Sequence, residues 1–366
     1  MSASPIRRPP LCPDTPATHP SHQRRRHLLQ GLLALGPGLL LPSVPAAAPL
    51  HPAAQASSSS ASPHGHWPQK AVRLIVPTAP GTPPDRIARA VAEPMGRLLG
   101  HSVIPENRPG NHGNLAATLV ARAPADGYTL LLGTETMPGI NALLPGRTPF
   151  DPGEQLLGIN RIATAPFLLV VGTHAPFRSL RALLHHARRQ PLAYGCHGTA
   201  SASQLAVEWL RQKTRARHLG FNDFSSPQRL IRAVAEGEIS LACLPARHLT
   251  LVQEEERVRI IAITRSHADP LVPGAPGIQH LDRSPPHEFL DWTALFAPRR
   301  TPRALIGRLD EVLRQALQGP QLAASLSPLG FTPAPAASPE QFQQDFTGTL
   351  ARNRALLGAL DLRPAS

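Results

Sequence analysis

From Trp67 onward the chain alternates short apolar runs with stretches of helical periodicity, and this alternation restricts its fold more than any other feature. Parallel strands need long crossovers, normally helices, so the pattern predicts βαβ units rather than a sandwich or a bundle. Residues 72–76 read as a buried strand, and Ile87, Val91, Met95 and Leu98 recur behind it at helical spacing. A strand at 102–105, a Gly-rich turn, a helix near 115–123 and a strand at 128–132 complete a three-stranded unit. A second unit opens after the apolar stretch 167–171, with helices at 180–187, 203–212 and 228–236 and strands at 192–196, 218–221 and 239–243. Strands at 259–264 and 292–297 follow. Two late helices have marked starts at Thr301-Pro302 and Ser338-Pro339-Glu340, with Ser or Thr as N-cap and Pro at the first helical position. The expected fold is α/β: a two-lobed clamshell, each lobe a doubly wound, mainly parallel sheet flanked by helices. Lobe 1 takes residues 67–168 plus 290–366 and lobe 2 residues 169–289, and a ligand sits between them at strand carboxyl ends.

The first 66 residues follow another pattern. Arg24, Arg25 and Arg26 precede an apolar run over 28–41, and Val44-Pro-Ala-Ala-Ala48 supplies small residues after it. This order predicts an export signal over 1–46, cleaved after Ala46. The apolar run is too short and too interrupted by Gly31, Gly36, Pro37 and Gly38 to span a membrane, which takes about 20 apolar residues. Arg25-Arg26-His27-Leu28-Leu29-Gln30 also fits a twin-arginine signal. Residues 47–66, rich in Ser, Ala, Pro and His, read as a flexible tether, and the mature chain is expected in the periplasm.

The net charge is +13, yet all but two of the 37 basic residues are Arg, the exceptions being Lys70 and Lys213. Those arginines are scattered and accompany no nucleic-acid-binding motif, so nucleic acid is excluded as a partner.

Several segments, taken in order, resemble the receptors of tripartite tricarboxylate transporter systems, the Bug family. They are Val72-Arg-Leu-Ile-Val-Pro77, Pro105-Glu-Asn-Arg-Pro-Gly110 with Gly113-Asn114, and Asp126-Gly-Tyr-Thr-Leu-Leu131. Further on come Tyr194-Gly195 with Gly198 and Ser201, Ile261-Ala-Ile-Thr264, Leu295-Phe-Ala-Pro298 and Thr301-Pro302. The resemblance implies a type II-like periplasmic-binding-protein clamshell that captures a small organic solute, a carboxylate or related metabolite, and delivers it to a membrane permease. Its partners would be that small-molecule ligand and the permease, or alternatively a sensor or membrane partner served by a ligand-poor receptor. The resemblance carries no cofactor, and the chain is expected to act as a monomer.

Carboxylate capture needs free N–H and hydroxyl donors at strand ends and helix starts. The first-lobe candidates are Thr78, Gly81, Thr82 and Asp85. Here Pro83 and Pro84 remove two donors, and Thr82 with Asp85 reads as a capping box, so the segment is either a well-capped helix start or a carboxylate site. The second-lobe candidates are Cys196, Gly198, Thr199 and Ser201, with Phe221 and Asn222 on the next strand. In the resemblance, Cys196, Ala200 and Gln204 stand where the family has Ser, Gly and His, and Gly220-Phe-Asn-Asp223 replaces a Pro-Tyr-Lys-Gly turn. Thr134 and Glu135 complete the candidates, just past the strand ending at Leu132.

Enzymatic chemistry finds no support in the sequence. Neighbouring Cys196 and His197 point to opposite sides of an extended chain, which suits no thiolate–base pair. There is no Gly-x-Ser-x-Gly elbow, no phosphate loop and no dinucleotide fingerprint. His64-x-His66 and His185-His186 lack companion ligands at metal-site spacing. Export would leave Cys196 and Cys243, which the expected strand order places on adjacent parallel strands, either as a disulfide or as two buried thiols.

Overall fold

The structure, a computed structural model, describes residues 67–137, 151–278 and 288–359; the expected export signal and tether lie outside them. Its first unit has the predicted βαβ plan. β1 (Val72–Val76) is flanked by β2 (Val103–Asn107) and β3 (Thr129–Thr134), both parallel to it. The connection α1 (Pro83–Leu99) begins on two prolines and ends at Gly100, which takes the left-handed conformation at φ 70°. It buries Ile87, Val91 and Met95 against the sheet. Leu99 takes the next inward position, and Leu98, expected there, is exposed. α2 (Asn114–Ala121) covers the opposite face.

The second unit repeats the plan: β5 (Leu192–His197) lies between β6 (Leu219–Phe224) and β7 (Leu241–Pro245), all parallel. The short α3 (Pro152–Gln155) precedes it in the chain, and its own helices are α4 (Leu180–His186), α5 (Ala202–Thr214) and α6 (Pro227–Ala235). Ser179, Ser201 and Ser226 cap them, each side-chain oxygen accepting a backbone N–H from the first turn.

What joins the units is antiparallel. β4 (Leu156–Gly172) runs 17 residues, far longer than the apolar stretch legible in the sequence. Its first part pairs with β9 (Leu290–Pro298), and its last part with β7 and β8 (Val258–Ile263). The sheet is therefore mixed, in the order β2-β1-β3-β9-β4-β7-β5-β6, with two parallel triplets at the ends and antiparallel crossing strands in the middle. β4 changes partners at Pro166, which lacks an N–H. There Thr264 stitches the crossing: its hydroxyl accepts from the Phe167 N–H at 2.8 Å and donates to the Phe289 carbonyl.

The short α7 (Leu249–Glu254) follows β7, and the C-terminal helices are α8 (Arg303–Leu317), α9 (Pro320–Leu326) and α10 (Pro339–Gly358). Ser338 caps α10 as expected, accepting from Gln341 N–H, whereas α8 starts one residue late, with Pro302 rather than Thr301 at its N-cap. Phe342, Phe346 and Leu350 of α10 pack with Trp292 and Phe296 on the first unit, while Leu356 enters the core of the second. One helix thus grips both halves.

Candidate functional site

Strand carboxyl ends bring the candidate loops to one edge of each unit, but most of their donors are already engaged. In the first loop, Asp85 is buried and accepts from Gly81 N–H at 2.8 Å, Asn107 Nδ2 at 2.8 Å and Arg89 Nε at 3.1 Å. Burial pushes its pKa up, but the hydrogen bonds from Arg89, Gly81 and Asn107 outweigh it and hold the carboxyl below its ordinary range. Asp85 is therefore a pin beneath the loop, with its oxygens turned inward. The capping box expected of Thr82 and Asp85 does not form: Thr82 makes no side-chain cap, and its hydroxyl instead donates to Ala79 O and lies 2.7 Å from Thr78 Oγ1. With prolines at the first two helical positions, the loop closes on itself.

The second loop is satisfied in the same way. Gly198 N–H and Thr199 Oγ1 both donate to the Asp223 carboxylate, at 2.9 and 3.2 Å. Ala200 N–H donates to Gln204 Oε1 at 2.6 Å, and Ser201 Oγ caps α5 and contacts Ser203 Oγ at 3.0 Å. Ala200 sits at φ 58°, a conformation natural to Gly and strained for Ala. Cys196 turns into the core beside Cys243, because even and odd positions of β5 face opposite ways; it offers no atom to a ligand. Phe221 packs on Tyr194, ring centroids 5.4 Å apart, and Asn222 is exposed on β6. Asn222 is level with Gly195 and directly precedes Asp223, so it stands at the second loop, whereas Phe221 packs against the core.

Thr134 and Glu135 lead elsewhere. Thr134 is buried at the end of β3, its hydroxyl 2.8 Å from Thr136 Oγ1. Glu135 faces a cavity of about 580 Å³ whose walls come from both halves: Arg161 on β4, Leu205 on α5, Trp292 on β9, and Asp345 and Arg352 on α10. Burial and the neighbouring Asp291 charge push the Glu135 carboxyl well above its usual range, only partly opposed by Arg247. Arg247 is ion-paired with Asp291, so this group of two acids and one guanidinium is relieved by a neutral Glu135. His248, next in the chain, is pushed down to about 4 by burial and by the Arg247 cation.

Sequence reasoning missed Arg247 and His248, although they follow β7 directly and the strand-end rule that selected Thr134 and Glu135 applies equally to them. It also missed Arg161 and Arg352, for which nothing local gave a signal. Among the described residues there is no group of three His, Cys, Asp or Glu placed to hold a metal ion.

Two parallel triplets bridged by antiparallel crossing strands and one C-terminal helix define a periplasmic solute-binding protein fold. A TctC solute binding protein from Polaromonas shares it at a TM-score of 0.71 and 20% identity, over 80% of this chain and 99% of that one. The family follows from the sequence: residues 87–362 match the tripartite tricarboxylate transporter family receptor, and the chain belongs to that family. A curated relative, the UPF0065 protein in the tcbD-tcbE intergenic region of Pseudomonas sp. (strain P51), is 28% identical over 80% of this chain and 86% of its own length. A Rhodopseudomonas palustris protein solved with adipate is 28% identical, with a TM-score of 0.62 over 80% of this chain and 97% of that one. MatC from the same species, with bound malate, is 26% identical at a TM-score of 0.59, covering 80% of this chain and all of MatC.

Proposed function

We propose that this chain is an exported receptor that captures a small organic carboxylate between two lobes and hands it to a membrane permease. The observation that carries the reading is the cavity beside Glu135, whose walls come from both halves of the sheet and from the helix that grips them. Family membership supports the receptor role, and the adipate and malate of the two R. palustris proteins indicate the solute class. Lobe 1 is residues 67–168 with 290–366, lobe 2 is residues 169–289, and closure turns on the crossing at Pro166 and Thr264. Periplasmic export by the signal over 1–46, action as a monomer and the absence of catalysis belong to the same proposal. No helix among the described residues is long and apolar enough to cross a membrane.

A thermal-shift screen of adipate, malate and phenylacetate tests the reading. A ligand that binds only the folded state at 100 times its Kd adds about 2.7 kcal/mol, a shift of several degrees. A screen in which no carboxylate moves the melting temperature would overturn capture. It would favour the second reading, a ligand-poor receptor working through a sensor or membrane partner, which the internally satisfied loops support.

A further inference from the structure

Arg161 and Arg352 line the same cavity, and in each the Nε atom is buried without a hydrogen-bond partner among the described residues. Their charges are handled differently. Arg161 is ion-paired with Asp345 at 3.3 Å. Arg352 has no carboxylate at ion-pair distance among the described residues; it donates to Thr349 Oγ1 at 3.3 Å and its guanidinium lies 5.0 Å from the centre of the Phe289 ring. Burial weakens its hold on its proton, with Asp345 only partly compensating. A partly buried guanidinium that has no carboxylate partner among the described residues, and whose Nε has no hydrogen-bond partner among them, is costly unless something else completes it.

The loops that would ordinarily meet a carboxylate have spent their donors on Asp223, Gln204, Ala79 and Asp85. We infer that the solute's carboxylate is anchored by the Arg352 guanidinium on α10, and that the solute is a monocarboxylate with an apolar body. This inference rests on the capture reading and names its anchor and ligand class. A guanidinium fork matches a carboxylate's two oxygens, and Phe289, Leu290, Trp292 and Leu205 supply apolar wall for the remainder. Glu288 is held by Ser266 N–H and Oγ at 2.9 and 2.6 Å and lines the wall as an acid, while Asp345 occupies Arg161. A second carboxylate on the solute would meet no further cation without a carboxylate partner among the described residues of that wall.

Calorimetric titration of the purified mature protein with phenylacetate, hexanoate and malate decides the matter. Phenylacetate or hexanoate should bind more tightly than malate, and Arg352→Gln should weaken that binding at least tenfold. Arg354→Gln, two residues along the same helix, removes an equal charge that is exposed and paired with Asp151, and it should leave affinity unchanged. If Arg352→Gln does not fold, Arg352→Lys keeps the charge, loses the fork and should still weaken binding. Tighter binding of malate, or equal effects of the Arg352 and Arg354 substitutions, would overturn this inference while leaving capture intact. Failure of every carboxylate to bind the unmodified protein would overturn capture and the anchor together.

Discussion

Glu135 and His248 are neighbours of one ion pair, and their protonation pulls stability in opposite directions across pH. Glu135 has a raised pKa in the fold, so the unfolded chain loses its proton first as pH rises, and stability falls from the ordinary glutamate range upward. Glu135→Gln, which copies the neutral acid, should therefore raise the melting temperature at pH 8 and converge with the parent near pH 4. A lower melting temperature for the variant at pH 8 would show that the carboxylate is ionised and structurally needed. His248 is depressed to about 4 against an ordinary 6.5, so its contribution is complete above pH 6.5 and is lost as pH falls toward 4. Urea titrations from pH 7 to 4 should show a shallower acid decline in His248→Gln than in the parent. At Ala200, the left-handed φ of 58° costs what Gly would not, and Ala200→Gly should stabilise by about 0.5–1 kcal/mol if the Gln204 contact survives.

At the scale of elements, the sequence made most of the fold legible because the apolar runs of β1, β3 and β7 are buried almost throughout and continuous. What it concealed has physical causes. β4 carries Asn160, Arg161, Thr164 and Pro166 among its apolar residues, so a period-based reading sees only its last five apolar positions. The loops were chosen correctly as strand-end loops, yet their composition could not reveal that Asp223, 24 positions from Thr199, would occupy the donors. The cysteine expectation turns on strand order, and the structure agrees: Cys196 and Cys243 lie one step beyond the paired Gly195 and Ala242, and burial together with the neighbouring Cys196 pushes the Cys243 thiol up. Both are free and fully buried. Alkylation should therefore spare the native mature protein, which lacks Cys12, and label two thiols after unfolding without reductant; a single species that labels only after reduction would mean that the pair oxidises.

The whole molecule depends on how two βαβ triplets are held together, by a core continuous from β1 and β3 through β4 to α6 and β7, by α10, and by the crossing of β4, β8 and β9. Arg352 belongs to this level: it is remote in sequence from every strand end, and only the packing of Phe342, Phe346 and Leu350 on one side and Leu356 on the other brings its helix to the cavity. No local motif encodes such a placement, which is why the sequence disclosed the loops and not the arginine. The crossing offers the sharper test. Thr264 is completely buried, and its hydroxyl serves the Phe167 N–H and the Phe289 carbonyl, one on each side of the turn between lobes. Thr264→Val keeps the volume and strands both groups, and each buried unpaired group costs about 1–3 kcal/mol. Urea unfolding should register a loss of about 2–4 kcal/mol. On the closure proposed above, which turns at this crossing, the variant should also loosen the relation between lobes and raise the radius of gyration of the unliganded protein in X-ray scattering. A stability loss with unchanged scattering would confine Thr264 to holding the fold, and place the hinge elsewhere along β4 and β9.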